Sequence, residues 1–465
     1  MDVVVGSAAE PLRIAVVGSG PAGLYAAGQL LSSQEPVCSV DVYDRLMTPW
    51  GLVRFGVAPD HPKIKTVTRV FERTARLPGF RFHGNVEVGV DVSHEQLARA
   101  YHAVLYATGA PDDRRLAIPG EDLAGSESAT DFVAWYNGHP DYADRTFDLT
   151  SRRAVVIGNG NVALDVARML VLSEAELKRT DTADHAIEAL RDSNVQEIVI
   201  LGRRGPVQAA FTNPELRELA ELELADVSVD PAELELDSTS AAALATAEPT
   251  VQRNVETLRA YAELAATGKP RRVVLRFLCS PVALEGDGRV ESLVVARNAL
   301  VSGGDGALRA QPTGTTERLE TSLVLRAVGY IGRPLDGVPY DEHRSTVLND
   351  SGRVLDPQTG RPVPGLYAAG WIKRGPSGVI GTNKRCAQET TTRLLDDFRA
   401  GLLPQPQDQP EALLDRMRAG GVAVIDYAGW ERIDAHEQAL GEPAGRPRVK
   451  LVRREDQLEC ATATE

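Results

Sequence analysis

Two glycine-rich stretches have the residue types and spacing to hold phosphate. Gly18-Ser19-Gly20-Pro21-Ala22-Gly23 lies between RIAVV, starting at Arg13, and the apolar LYAAGQLL. Gly158-Asn159-Gly160-Asn161-Val162-Ala163 lies between RAVVI, starting at Arg153, and LDVARML. A β-branched run, a glycine turn and an apolar helix former read as strand, turn and helix. The first glycine permits the tight turn and the second lets the backbone approach a pyrophosphate. The third small residue, Gly23 or Ala163, lets helix and strand pack closely. Phosphates would then sit on the helix N-terminus, where unpaired N–H groups and the macrodipole favour anions. The two stretches match at an offset of 140 residues, so two copies of a dinucleotide-binding unit are expected.

The ends of the next strands make the copies unequal. Val37–Tyr43 reads as a strand running into Asp44, which lies 24 residues after Gly20. That is close to the ~20 expected of an acid that binds ribose hydroxyls. Val195–Leu201 runs instead into Gly202-Arg203-Arg204-Gly205. Two guanidinium groups there suit a 2′-phosphate through charge-assisted, often bidentate bonds, where an acid would repel it. The simplest assignment is FAD at the first turn and NADP(H) at the second. FAD needs a further anchor near its isoalloxazine. Gly370–Thr382 is the candidate, with Trp371 as a cover and Gly378, Val379 and Ile380 opening a helix; by composition it also reads as an ordinary Gly/Pro loop.

The elements that position these groups form an α/β chain. Val104–Ala107 is a buried strand after the first unit. Ser173–Arg191 reads as a helical insert, followed by helix-like Phe211–Leu222 and Thr250–Ala266. Val273–Leu278, Val290–Asn298 and Ser322–Ala327 look like strands, and Gly303–Gly314 like a hairpin loop or exposed turn. Gly365–Gly370 is a last strand running into a turn, and Gly401–Gln409 a linker. The tail beyond it reads as mostly helical, with a short strand near Val422–Ile425.

At 465 residues the chain is long enough for two or three cores. A net charge of −14 argues against general nucleic-acid binding. The four cysteines, Cys38, Cys279, Cys386 and Cys460, include no C-x-x-C and no zinc spacing, so inert thiols in a reducing compartment are expected, and no metal. Met1–Pro11 lacks the basic and apolar regions of a secretory signal, and no run is apolar enough to span a bilayer. A cytoplasmic protein is the expectation.

These residues resemble the adrenodoxin-reductase-like branch of NADPH–ferredoxin reductases. The match is strongest at TPWGLVRFGVAPDHPKIK (Thr48–Lys65), GNGNVALDVARML (Gly158–Leu170), GRRGPVQAAFT (Gly202–Thr212) and GWIKRGPSGVIGTNK (Gly370–Lys384), and it runs through essentially the whole chain. The resemblance implies two Rossmann-like domains in a glutathione-reductase-like architecture. An FAD domain, 1–110 and 331–465, would carry an inserted NADP(H) domain, 111–330. It implies that Gly18, Gly20, Ala22, Gly23, Asp44, Leu52, Val88, Trp371 and Gly378 to Ile380 contact FAD. Arg114, Asn159, Gly160, Asn161, Val162, Arg203, Arg204, Glu215 and Gly378 would contact NADP(H). Many members carry Glu where this chain has Asp44. A pair near the flavin is implied at His61 and Asp165, in which a carboxylate would orient the imidazole; a structural bond tying the domains is an equal reading.

The implied reaction is hydride transfer from NADPH to flavin, which needs alignment rather than a base, followed by single-electron steps. Related disulfide reductases pass electrons to a cysteine pair. This chain has none, so its acceptor would be an acidic iron–sulfur ferredoxin docked near Arg217, Arg253 and Arg259, each of which also reads as part of a solvated helix face. The family suggests a monomer or weak dimer. Two rivals remain. A reductase subunit of a larger flavin/iron–sulfur complex would carry cluster cysteines upstream of the first turn, and Met1–Leu12 has none. An NADPH-binding flavoprotein redox sensor would lack turnover.

Overall fold

The computed structural model describes residues 4–303 and 308–463. Two sheets dominate. The first has seven strands in the order Asn349–Asp350, Arg353–Leu355, Pro362–Ala368, Ala103–Tyr106, Leu12–Val17, Cys38–Asp44 and Phe80–Gly84. Its five strands from Pro362–Ala368 onward are parallel. The second sheet is parallel throughout, in the order Ser126–Ser128, Leu323–Arg326, Arg153–Ile157, Glu197–Leu201, Arg271–Arg276 and Ala225–Val229. All six of its strands fall between residues 126 and 326, whereas the first sheet draws on both sides of that stretch. The chain passes between them along Asp112–Asp113 and returns along Tyr330–Ile331, and these two segments pair antiparallel.

Strand alternation explains why each sheet is covered on both faces. Ile14 and Val16 enter one core with Leu24 and Ala27 of the Pro21–Leu31 helix. Ala15 and Val17 point the other way, toward Leu97, Ala100 and Leu413. In the second sheet Ala154 and Val156 join a helix-rich core, while Val155 and Ile157 face an antiparallel sheet of Cys279–Glu285, Ser292–Ser302 and Leu308–Glu320. The valine, leucine and isoleucine side chains contribute about 1.5–3 kcal/mol each when fully buried. A near-continuous apolar run is what a strand buried on both faces requires.

Two expectations need correction. Gly303–Gly314 is not a loop throughout: Leu308–Glu320 is one strand passing through Gly314 and paired with Ser292–Ser302. Its Thr-rich, largely exposed stretch accommodates the glycine, and the register shift between Ala296 and Asn298 takes up the irregularity. Residues 304–307, within the expected loop, lie outside the described residues. The strand near Val422–Ile425 reduces to a single bridge between Gly84 and Ile425, between the Pro410–Ala419 and Tyr427–Gly441 helices.

Candidate dinucleotide sites and the cluster between them

The two glycine turns are built alike. Gly18 N–H donates to Tyr43 O at 2.8 Å, and Gly158 N–H to Leu201 O at 2.9 Å, so each turn is tied to the next strand. Gly18 has φ 105° and Gly158 φ 131°. A Cβ on Gly18 would lie 2.6 Å from Ala107 O, and one on Gly158 2.2 Å from Ala327 O. Both carbonyls follow the strand on the other side of the turn, so only glycine fits. A Cβ on Gly23 would lie 2.0 Å from Gly18 O, which explains the close helix packing. Gly20 and Gly160 differ: a Cβ on either would meet nothing within 4 Å. Each turn therefore leaves space in front of a helix N-terminus, as a pyrophosphate requires.

Around the first turn, Asp44 Oδ2 accepts from Ser19 N at 2.8 Å and Ser19 Oγ at 2.5 Å, and Oδ1 from Leu46 N at 2.9 Å. Trp50 N–H donates to Ser19 O at 3.1 Å, and a Cβ on Gly51 would lie 2.9 Å from Gly20 Cα. That places Leu52, the half-open start of the short Leu52–Phe55 helix, beside the turn. Val86 N–H donates to Asp44 O at 2.9 Å, and Val88 follows two residues later, half-buried. From the far end of the chain, a Cβ on Gly370 would lie 2.6 Å from Ala22 Cβ. Trp371 comes next, its ring 5.2 Å from that of Tyr330. Exposed Gly378 and Val379 lead into the Ile380–Arg399 helix, which has no side-chain N-cap. Thr48 Oγ1 and Trp371 Nε1 are buried without a protein partner among the described residues. Open space at Gly20, two orphaned polar atoms and a bare helix N-terminus fit an extended anionic cofactor.

Around the second turn, Asn161 Oδ1 accepts from Thr212 N at 2.7 Å and Asn159 O from Ala210 N at 2.9 Å, while Val162 is half-buried. Asn298 Nδ2 donates to Arg203 O at 2.9 Å, and Leu278 N to Arg204 O at 3.1 Å. The backbone is thus pinned while both guanidinium groups point to solvent, with no ionic partner among the described residues. Arg114 is likewise exposed and unpaired in that sense, held by its own N–H to Gly329 O at 3.0 Å. Three free guanidinium groups fit a phosphate-bearing ligand.

The expected pairing of His61 with Asp165 does not form. Arg168 comes between them, its Nη2 bonded to His61 Nε2 and, at 2.8 Å, to Asp165 Oδ1. The reason is helical spacing: Arg168 is i+3 from Asp165 on the Asn161–Val171 helix, so both share one face. Arg168 also reaches Asp60 at 2.9 Å, Glu215 at 3.4 Å and Glu218 at 3.5 Å. His61 Nε2 lies 3.1 Å from Glu218 and 3.5 Å from Glu215. Glu215, expected on the dinucleotide, is therefore engaged inside this cluster. The trio His61, Glu215 and Glu218 has the spacing of a metal site, but the guanidinium supplies the positive charge there.

Arg168 is only 2% exposed, and the surrounding carboxylates hold it firmly charged, above its ordinary value. Burial pushes the Asp165 and Glu215 carboxyls up, against the pull of Arg168 and His61. Asp60 and His61 come from the stretch after the first turn, and the other members from the second-sheet region. The sequence reading missed Arg168, Asp60 and Glu218. The available signal was a lone Asp-x-x-Arg on the otherwise apolar stripe of ALDVARML. Arg217, Arg253 and Arg259 are all exposed, on helices joined by Tyr261 Oη to Leu216 O at 2.7 Å.

Glycine turns of one design on two parallel sheets, joined by a charged seam, define an oxidoreductase architecture with two dinucleotide-binding units. A family model described as pyridine nucleotide-disulphide oxidoreductase matches residues 12–230. The chain is 49% identical over 452 residues to the NADPH-ferredoxin reductase FprA of Mycobacterium tuberculosis, spanning 95% of this chain and 97% of that protein. It is 42% identical over 474 residues to the mitochondrial NADPH:adrenodoxin oxidoreductase of Arabidopsis thaliana, spanning 98% and 96%. The solved structure of Mycobacterium tuberculosis FprA in complex with NADPH is similar with a TM-score of 0.92 at 48% identity, covering 98% of this chain and 100% of that one. The chain belongs to the NADPH-ferredoxin reductase family. Among the described residues no helix is long and apolar enough to cross a membrane.

Proposed function

We propose that this chain passes electrons from NADPH, through FAD at the first glycine turn, to a ferredoxin-type iron–sulfur protein. One observation carries the assignment of the two sites: two turns of the same build end in opposite charge, Asp44 at the first and unpaired Arg203 and Arg204 at the second. Asp44 holds ribose hydroxyls, and Ala22, Leu52, Val88 and Trp371, with the Gly378–Ile380 backbone, enclose the flavin. Arg203 and Arg204 clasp the 2′-phosphate, with Arg114, Asn159, Gly160, Asn161 and Val162 along the rest of the nucleotide. Bound FAD supplies the link between a two-electron donor and a one-electron acceptor.

The FAD unit is 1–110 with 331–465 and the NADP(H) unit 111–330, a division supported by the paired crossing strands at 112–113 and 330–331. His61, Asp165 and Glu215 act through Arg168, holding the units at the alignment that hydride transfer needs. The cysteines offer no internal acceptor. Cys38, Cys279 and Cys386 are buried and free, and burial pushes the Cys38 thiol up to about 12 and the Cys279 thiol to about 11. Electrons therefore leave to a partner, docked on the exposed Arg217, Arg253 and Arg259.

The test is cofactor choice. Arg203→Ala with Arg204→Ala is expected to raise KM for NADPH roughly 10- to 100-fold, the worth of one charge-assisted bond of about 1.5–3 kcal/mol. KM for NADH should stay within about twofold. Equal losses for both would remove the 2′-phosphate assignment, and a protein that takes up no FAD would end the proposal.

A further inference from the structure

We infer that a cleft at the amino-terminal edge of the second sheet binds a polyphosphorylated small molecule. Parallel strands put all their starts together. Arg153–Ile157, Glu197–Leu201, Ala225–Val229 and Arg271–Arg276 begin at this edge, and the first two end at Gly158 and Gly202 on the opposite edge. The cleft has a volume of about 850 Å³, within the range of ~300–1,000 Å³ of ordinary ligand sites. A five-residue strand spans roughly 15 Å, so the cleft is separate from the dinucleotide turn.

Its walls carry more positive charge than their own acids neutralise. The cations are Arg152, Arg153, Lys269, Arg271 and Arg272, and the acids are Glu197, Asp226 and Glu320. Glu197 is shared by Arg153 and Arg272. Asp226 is occupied by the loop beside it, accepting from the N–H groups of Thr267 at 3.0 Å, Gly268 at 3.1 Å and Lys269 at 3.3 Å. Glu320 is exposed. The other three cations have neutral partners. Arg152 Nη2 donates to Gln196 Oε1 at 2.6 Å, and Lys269 Nζ to Leu222 O at 2.7 Å. Arg271 Nη1 donates to Leu170 O at 3.0 Å.

Arg271 is the anomaly. It is half-buried, burial pulls its guanidinium down, and no carboxylate among the described residues pulls it back. Leu170 O, in the last turn of the Asn161–Val171 helix, offers only a share of a macrodipole's half charge. Charges withdrawn from water are normally paired. In a chain of net charge −14 this surplus is local. Five cations against three acids leave two positive charges in surplus, more than a lone carboxylate neutralises, whereas a di- or triphosphate meets them and suits guanidinium forks. Val227, Leu264 and Pro270 add an apolar wall for an organic group.

The test is calorimetric titration of the FAD-loaded protein with inorganic triphosphate and, separately, with ATP. Saturating NADP+ keeps the second glycine turn filled. One equivalent of triphosphate should bind, at least tenfold more weakly in Arg271→Ala and in the exposed charge reversal Arg152→Glu, with NADPH-to-dye turnover unchanged in both. Tighter binding of ATP would make the ligand a nucleotide, and equal binding a free polyphosphate; either supports the site. No binding under saturating NADP+, or equal affinity in the Arg152→Glu protein, overturns it.

Discussion

The stretch from Asp60 to Lys65 touches the second-sheet region twice, through clusters of opposite balance. At its start Asp60 and His61 join Asp165, Arg168, Glu215 and Glu218, four carboxylates around one guanidinium. At its end Lys65 shares Asp181 with Lys450, at 2.7 Å and 3.1 Å, so two amines divide one carboxylate, and burial pulls both below the ordinary lysine value. Asn137 completes this second cluster, its carbonyl accepting from Lys450 at 3.0 Å. The side chain of Lys450 is 0% exposed and that of Asp181 9%, whereas Glu218 in the first cluster is 41% exposed. The closed cluster has no escape into water and can only hold. The other is in partial contact with solvent, as the seam proposed to align the two units can be.

Removing the shared carboxylate should have the largest effect. Asp181→Asn leaves Lys65 and Lys450 buried without a counter-ion, and a broken buried pair costs about 3–5 kcal/mol. A urea titration at pH 7 should show that loss. Both lysines hold the Asp181 carboxyl below its ordinary value of 3.8. Its contribution is therefore complete above that value in the parent and lost as pH falls through the lower, folded value. The gap between parent and variant should narrow as pH falls below 3.8. A gap that narrows already between pH 7 and 5 would mean that Asp181 is not the acid-sensitive member.

Arg168→Gln probes the open cluster, with a smaller stability loss of about 1–3 kcal/mol, because the acids left behind can take up protons or water. The informative readout is the pH profile of NADPH-to-dye turnover. Burial already pushes Asp165 and Glu215 up, and Arg168 opposes it. Without the guanidinium both carboxyls rise further, so the acid limb should move to higher pH. Arg168→Lys should restore most of the parent profile. An unmoved acid limb beside a loss of stability would make this cluster a pin like the other.

The two clusters also mark where sequence reasoning ended. The glycine turns were legible because their chemistry is local: strand, turn and helix are contiguous, and the unequal ends, Asp44 and Arg203-Arg204, follow directly on the next strand. The paired sheets followed from apolar runs such as RIAVV and RAVVI. Lys450 and Asp181 were not legible, since a lysine in a helical tail and an aspartate in TDTADH carry no sign of each other until the tail packs across both units. The His61–Asp165 pairing failed for a related reason: a guanidinium one helical turn from Asp165 reaches the imidazole first. The strand through Gly314 was hidden because an exposed strand paired in a hairpin needs no apolar alternation, and its glycine and threonines read as a loop.

The smallest effect on stability separates the inner and outer faces of one short helix. In Asn213–Glu218, Glu215 and Glu218 turn inward to Arg168, and Arg217 turns out to solvent. Arg217→Ala should change stability by no more than about 0.5 kcal/mol, as expected of an exposed charge without a buried partner. NADPH-to-dye turnover should also stay unchanged, because the inner face is untouched. Reduction of an acidic ferredoxin should fall several-fold at low ionic strength, and the difference should fade near 0.5 M salt, where the Debye length drops to roughly 4 Å. A salt-independent loss, or a loss shared by the dye assay, would place Arg217 with the inner cluster rather than on a docking face.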